Sequence, residues 1–171
     1  MPGTPTLLNL RVQDPRALLL QGVPGVPLLS LSVSPNEESA HYRSAGRWLR
    51  QFHDLPWTDE DGMSIPDALA RRSATWSERA KGALEPDLID TIHAQVTCHR
   101  DFTARNWVVS GQVLHVIDFE HSRPDWSLVD VERVRSTIPA ERQELWHAFQ
   151  DGYGSSFNDR PQRDLLERLE L

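Results

Sequence analysis

The most constraining stretch of the sequence lies between His99 and Asp118. Trp107-Val108-Val109 and Val113–Ile117 flank the turn Ser110-Gly111, a pattern that predicts a β-hairpin. Asp101 and Asn106 stand before its first strand, and Asp118 follows its second. Antiparallel strands bring these two ends together in space. Two carboxylates and one carboxamide then face one cleft as hard oxygen donors, the chemistry that Mg²⁺ and a nucleoside triphosphate require. A single loop aspartate more often only caps a turn. The joint pattern, with a strand pair between its parts, is what argues for a site.

Around this window the chain predicts an α+β domain. Leu7–Val12 and Ala17–Leu20 read as two strands joined by a turn at Asp14-Pro15, and the Gly/Pro-rich stretch Gly22–Pro27 as a connector that cannot be helical. Ser34-Pro35-Asn36-Glu37 opens a helix with a capping box, and Tyr42, Ala45, Leu49 and Phe52 recur on one face until Pro56. Further helices are predicted at Pro66–Ala83, Leu88–Ile92, Leu128–Ser136, Pro139–Gly152 and from Arg163 onward, with a short strand at Val96–Cys98. Trp48, Trp76 and Trp146 fall in helical patterns that suit core packing, and Trp107 is expected under the loop that precedes it.

Composition narrows the classes. A chain of 171 residues with 39% hydrophobic and 25% charged residues suits one globular domain, or one lobe of a larger fold. A net charge of −7 argues against a nucleic-acid partner and gives only weak support for a cationic substrate. The lone cysteine, Cys98, excludes an internal disulfide and suits a reducing, cytoplasmic setting. No leader-like N-terminus or membrane-length apolar run is read. His93, His99, His115 and His121 surround the hairpin, but no H-E-x-x-H pair supports a zinc hydrolase.

His99-Arg100-Asp101-Phe102-Thr103-Ala104-Arg105-Asn106 matches the kinase catalytic-loop pattern H-R-D-x-x-x-x-N. Ile117-Asp118-Phe119-Glu120 matches the metal-binding D-F-G position, with Glu120 in place of glycine. With Arg123-Pro124-Asp125, Asp130, Phe149–Gly154 and the L-H-x-L-P-like Phe52-His53-Asp54-Leu55-Pro56, the chain resembles the aminoglycoside phosphotransferase family from about Leu18 onward. The resemblance implies a protein-kinase-like fold: remnant N-lobe strands and hinge over 1–27, and a mostly helical C-lobe with a catalytic hairpin over 28–171. It implies transfer of the γ-phosphoryl group of ATP, or another nucleoside triphosphate, to a hydroxyl of a small molecule. Asp101 would accept the hydroxyl proton, Asn106 and Asp118 would hold Mg²⁺, and Arg105 would lie near the phosphates. His99 and Asp130 would support the loop. The short segment from Asp118 to Asp130 leaves no room for a peptide-binding activation loop, which favours a small substrate.

The sequence departs from the complete pattern. It has no glycine-rich phosphate loop, and its single lysine is Lys81, downstream in a predicted helix. The resemblance therefore implies an N-terminally truncated member, beginning at the last N-lobe strands and impaired as a catalyst. The alternative is a non-catalytic, pseudokinase-like binding or scaffold protein, or a truncated relic.

Overall fold

The computed structural model describes residues 7–11, 17–20, 22–55 and 95–154, the first two segments as backbone strands only. The predicted helices at Pro66–Ala83, at Leu88–Ile92 and from Arg163 onward lie outside the described residues.

Strands β1 (Leu7–Arg11) and β2 (Ala17–Leu20) pair antiparallel. Helix α1 (Pro35–His53) starts where the sequence places it. The Glu37 N–H donates to Ser34 Oγ at 3.3 Å and the Ser34 N–H to Glu37 Oε2 at 2.9 Å, so two orphan donors are satisfied reciprocally. Its buried face carries Tyr42, Ala45, Trp48, Leu49 and Phe52, spaced three and four apart.

The predicted hairpin forms from β5 (Trp107–Ser110) and β6 (Val113–Val116), with Trp107 opposite Val116. The supposed connector contributes β3 (Val26–Pro27), which pairs with β5. Pro27 fits there because it occupies a sheet edge, where a missing N–H is tolerated. Gly25 beside it has φ 125°, and a Cβ would strike the Val109 carbonyl oxygen. Strand β4 (Gln95–Cys98) pairs with β7 (Arg123–Trp126). The second of these escapes a sequence reading, because Pro124 argues against a strand.

Helices α2 (Ser127–Thr137) and α3 (Gln143–Tyr153) complete the described fold. A 3₁₀ turn, Ala140–Arg142, replaces the first turn of the helix predicted at Pro139–Gly152. Helices α1 and α3 meet backbone to backbone. A Cβ on Gly46 would land on the Phe149 carbonyl oxygen, and one on Gly152 on that of Arg43. One apolar core joins α1, the hairpin, α2 and α3 through Leu49, Trp107, Val116, Val131 and Phe149. Among the described residues, no helix is long and apolar enough to cross a membrane.

Gly46→Ala should separate α1 from α3 and destabilise the protein by about 1–3 kcal/mol or more, the usual cost of overpacking. Denaturant unfolding of the variant against the parent chain checks this. An unchanged midpoint would contradict the close crossing.

Candidate active site

The loop between β4 and β5 is built on Asp130, in the first turn of α2, which has no solvent exposure. Its Oδ2 accepts the His99 N–H at 2.7 Å and its Oδ1 the Arg100 N–H at 2.5 Å. His53 Nε2, from the last turn of α1, lies 3.0 Å from Oδ2. Because a carboxylate only accepts, this nitrogen carries the proton. The other ring nitrogen, Nδ1, is 2.7 Å from the Tyr153 hydroxyl at the end of α3.

His99 is fully buried and ties the loop to the hairpin. The Asp101 N–H donates to its Nδ1 at 3.3 Å, so Nε2 bears the hydrogen and donates to the Ile117 carbonyl at 2.9 Å. The Ile117 N–H in turn donates to the Asn106 carbonyl at 3.0 Å. Both faces of the chain just before Asp118 are therefore held.

Among the described residues, the non-glycine positions with left-handed backbone are Arg100 (φ 69°) and Asp118 (φ 67°). Each such conformation costs about 1–3 kcal/mol and persists only where its surroundings enforce it. At Arg100 the enforcement comes from Asp130 on the N–H and from Asp125, whose Oδ2 lies 3.1 Å from the guanidinium Nε. At Asp118 it comes from the fixed Ile117 peptide on one side and from Phe119 on the other. The Phe119 ring packs 4.7 Å from His99, 5.8 Å from Phe52 and 6.0 Å from Trp48. Asp118 itself is exposed.

Asn106 closes the arrangement. Its Nδ2 donates to the Asp101 carbonyl at 2.9 Å and to Asp101 Oδ2 at 3.0 Å. Among the described residues its Oδ1 makes no hydrogen bond. Asp101 and Asn106 are thus brought into contact, and Asp118 follows directly on the residue paired with Asn106. Arg105 is exposed on the same loop. The donor set at the hairpin mouth consists of hard oxygens, which fits Mg²⁺ and not a softer metal.

Reading the sequence residue by residue gave no separate role to His53, Tyr153 or Asp125. The L-H-x-L-P-like, Phe149–Gly154 and Arg123–Asp125 segments of the resemblance only hinted at them. Their ligand atoms come from elements distant in sequence, so spacing carries no signal of the contact.

His53, Cys98 and Asp130 also place three ligand-type atoms within 4.8 Å of one another. A metal does not suit them. Asp130 already receives two loop amides, and burial first, then the negative charge of Asp130, pushes the Cys98 thiol far up. A metal needs the thiolate.

Over residues 4–166 the chain matches the model of a family described as phosphotransferase enzyme family. A probable bifunctional tRNA threonylcarbamoyladenosine biosynthesis protein of Methanosarcina acetivorans is 34% identical over 91 residues, covering 49% of this chain and 16% of that protein. Among solved structures, ADP-bound aminoglycoside phosphotransferase APH(2'')-Ib superposes with TM-score 0.62 at 15% identity, over 95% of this chain and 64% of that one. APH(3'')-Id from Streptomyces rimosus, in complex with ADP and streptomycin, gives 0.61 at 19% identity, over 99% and 76%. The likeness shows an α+β, protein-kinase-like fold. The chain spans about a sixth of the curated relative's length and under two thirds of APH(2'')-Ib.

Asp130→Asn should turn an amide NH₂ toward a loop N–H and destabilise the fold by about 1–3 kcal/mol, the cost of a buried donor without an acceptor. Chemical denaturation measures it, and a neutral result would contradict the bracing role. Buried Cys98 should resist alkylation in the native protein and react only in denaturant.

Proposed function

This chain belongs to the phosphotransferase enzyme family, and from that membership we propose that it transfers the γ-phosphoryl group of ATP, or of another nucleoside triphosphate, to a hydroxyl of a small molecule. The observation that carries the reading is the clasp of Asn106 Nδ2 on Asp101 Oδ2 at 3.0 Å, at the hairpin mouth where Asp118 also lies. The clasp fixes the Asp101 carboxylate as a proton acceptor for the acceptor hydroxyl. It also commits the Asn106 amide nitrogen, leaving Oδ1 for a cation. Asn106 and Asp118 would hold Mg²⁺, which when bound neutralises charge on the phosphates. Arg105, exposed on the loop, offers a guanidinium to phosphate oxygens. His99 and Asp130 keep these groups in register. In this reading 1–27 supplies N-lobe strands and hinge, 28–171 supplies the C-lobe, and the protein works in the cytoplasm.

A small hydroxylated acceptor is supported by the short run from Asp118 to Asp130, part of which is taken up by β7. The curated relative's name concerns tRNA modification and makes a macromolecular acceptor the competing choice, but a net charge of −7 opposes a nucleic-acid surface. One observation favours a second reading, a protein that binds nucleotide without turnover. The single lysine, Lys81, lies outside the described residues, so among the described residues no lysine stands at the site. That reading keeps the metal-nucleotide site and loses the transfer.

Thermal unfolding with Mg·ATP tests the site. At about 100 times Kd, binding should stabilise the chain by about 2.7 kcal/mol. Asp118→Ala should abolish the shift. Asp101→Asn should keep it while lowering phosphoryl transfer to a responsive acceptor by about 10²–10⁴-fold. No shift at millimolar nucleotide would overturn the proposal. A shift with no transfer to any acceptor would leave the binding-only reading.

A further inference from the structure

Three helices end on one buried polar chain that the phosphoryl-transfer chemistry does not use directly. Tyr153 closes α3, His53 closes α1 and Asp130 opens α2. The contacts run 2.7 Å from the Tyr153 hydroxyl to His53 Nδ1, 3.0 Å from His53 Nε2 to Asp130 Oδ2, and 2.7 Å from that oxygen to the His99 N–H. The His53 and Asp130 side chains are 2% and 0% exposed, and Tyr153 is buried as well. All three side chains are shielded from bulk solvent.

We infer that Tyr153 is a positioning residue for the catalytic loop, its hydroxyl setting the tautomer and ring angle of His53, which in turn aims Asp130 at the His99 and Arg100 amides. The consequence for catalysis rests on the proposed role of Asp101. The mechanical link does not.

The direction of the protons follows from the donor inventory. Asp130 accepts, so His53 Nε2 must donate. In the neutral ring Nδ1 then accepts, and the phenol supplies the hydrogen. Burial pushes the Tyr153 phenol up and so keeps it a donor. If the hydroxyl were absent, the buried Nδ1 would lack a partner. The ring could then shift its proton to Nδ1, leaving Asp130 facing an unprotonated nitrogen. Ring packing alone does not enforce the tautomer. The two rings meet edge to face at 5.6 Å, a contact that phenylalanine at 153 would retain. The link also explains how one aromatic residue at the end of α3 bears on the His99–Asn106 loop. It does so through a short chain of hydrogen bonds between rigid helix termini rather than through diffuse packing.

The experiment uses the whole chain without nucleotide or acceptor, so its outcome is independent of phosphoryl transfer. Long-range ¹H–¹⁵N spectra of the imidazoles should show His53 protonated at Nε2 and bare at Nδ1. Tyr153→Phe should speed amide exchange at His99 and Arg100 by about 10-fold, one lost buried hydrogen bond's worth, while the β5–β6 amides change little. Val134→Ala, a core truncation away from the link, serves as the control for general loss of stability and should raise exchange broadly. His53→Leu removes both ring nitrogens and with them the link, so adding Tyr153→Phe to it should have no further effect on the loop. Equal acceleration at loop and hairpin amides, or no acceleration at either, would overturn the inference. Should Tyr153→Phe fail to fold, the parent His53 spectrum decides, because a ring protonated at Nδ1 is incompatible with the inferred link.

Discussion

One buried carboxylate organises the rest of the described structure. Asp130 is fully buried, and an unpartnered charge there would be strongly unfavourable. It is tolerable because the His99 and Arg100 amides and the His53 ring all donate to it. Hydrogen bonds to a charged group contribute about 1.5–3 kcal/mol each, enough to offset the left-handed conformation that Arg100 must adopt. The loop bends as it does because the carboxylate is placed at the start of α2. That placement depends in turn on α2 following β7 without a gap, with β7 paired to the strand that delivers the loop.

A connected set of rings supports the same loop from the other side. Phe102 lies 5.5 Å from Trp48 and 5.2 Å from Trp107, and Trp107 meets Tyr42 edge-on at 5.1 Å. Phe119 rests on Phe52, Trp48 and His99. Helix α1 supplies Tyr42, Trp48 and Phe52 to this layer and His53 to the polar chain. Movement of α1 would therefore disturb the apolar and polar supports together. The two left-handed residues, Arg100 and Asp118, sit where these supports converge. Among the described residues, left-handed non-glycine backbone is thus confined to the loop and strand end that carry the candidate oxygen donors.

Much of this was legible in the sequence where the signal is local. The hairpin was readable from its turn and β-prone runs, and the start of α1 from Ser34 and Glu37. The placement of Asp101, Asn106 and Asp118 at the two ends of the hairpin was readable from the same pattern. Strand β7 was hidden by Pro124, whose usual meaning is edge or loop, and β3 by a Gly/Pro-rich composition. Phe102 and Ala104, inside the catalytic-loop motif, are buried in the apolar core, which the motif alone does not reveal. The link from Tyr153 to His53 joins residues 100 apart in sequence, and nothing in the periodicity of either helix encodes which hydroxyl reaches which ring. Periodicity identifies a buried face. It does not identify the polar partner that the face must find.

Whether Asn106 and Asp118 share one divalent ion when nucleotide is present is measured directly by electron paramagnetic resonance of Mn²⁺, which takes the same oxygen ligands as Mg²⁺. Bound Mn²⁺ should depend on nucleotide, fall to background in Asp118→Ala and weaken in Asn106→Leu. Mn·nucleotide binding that both substitutions leave untouched would contradict the account.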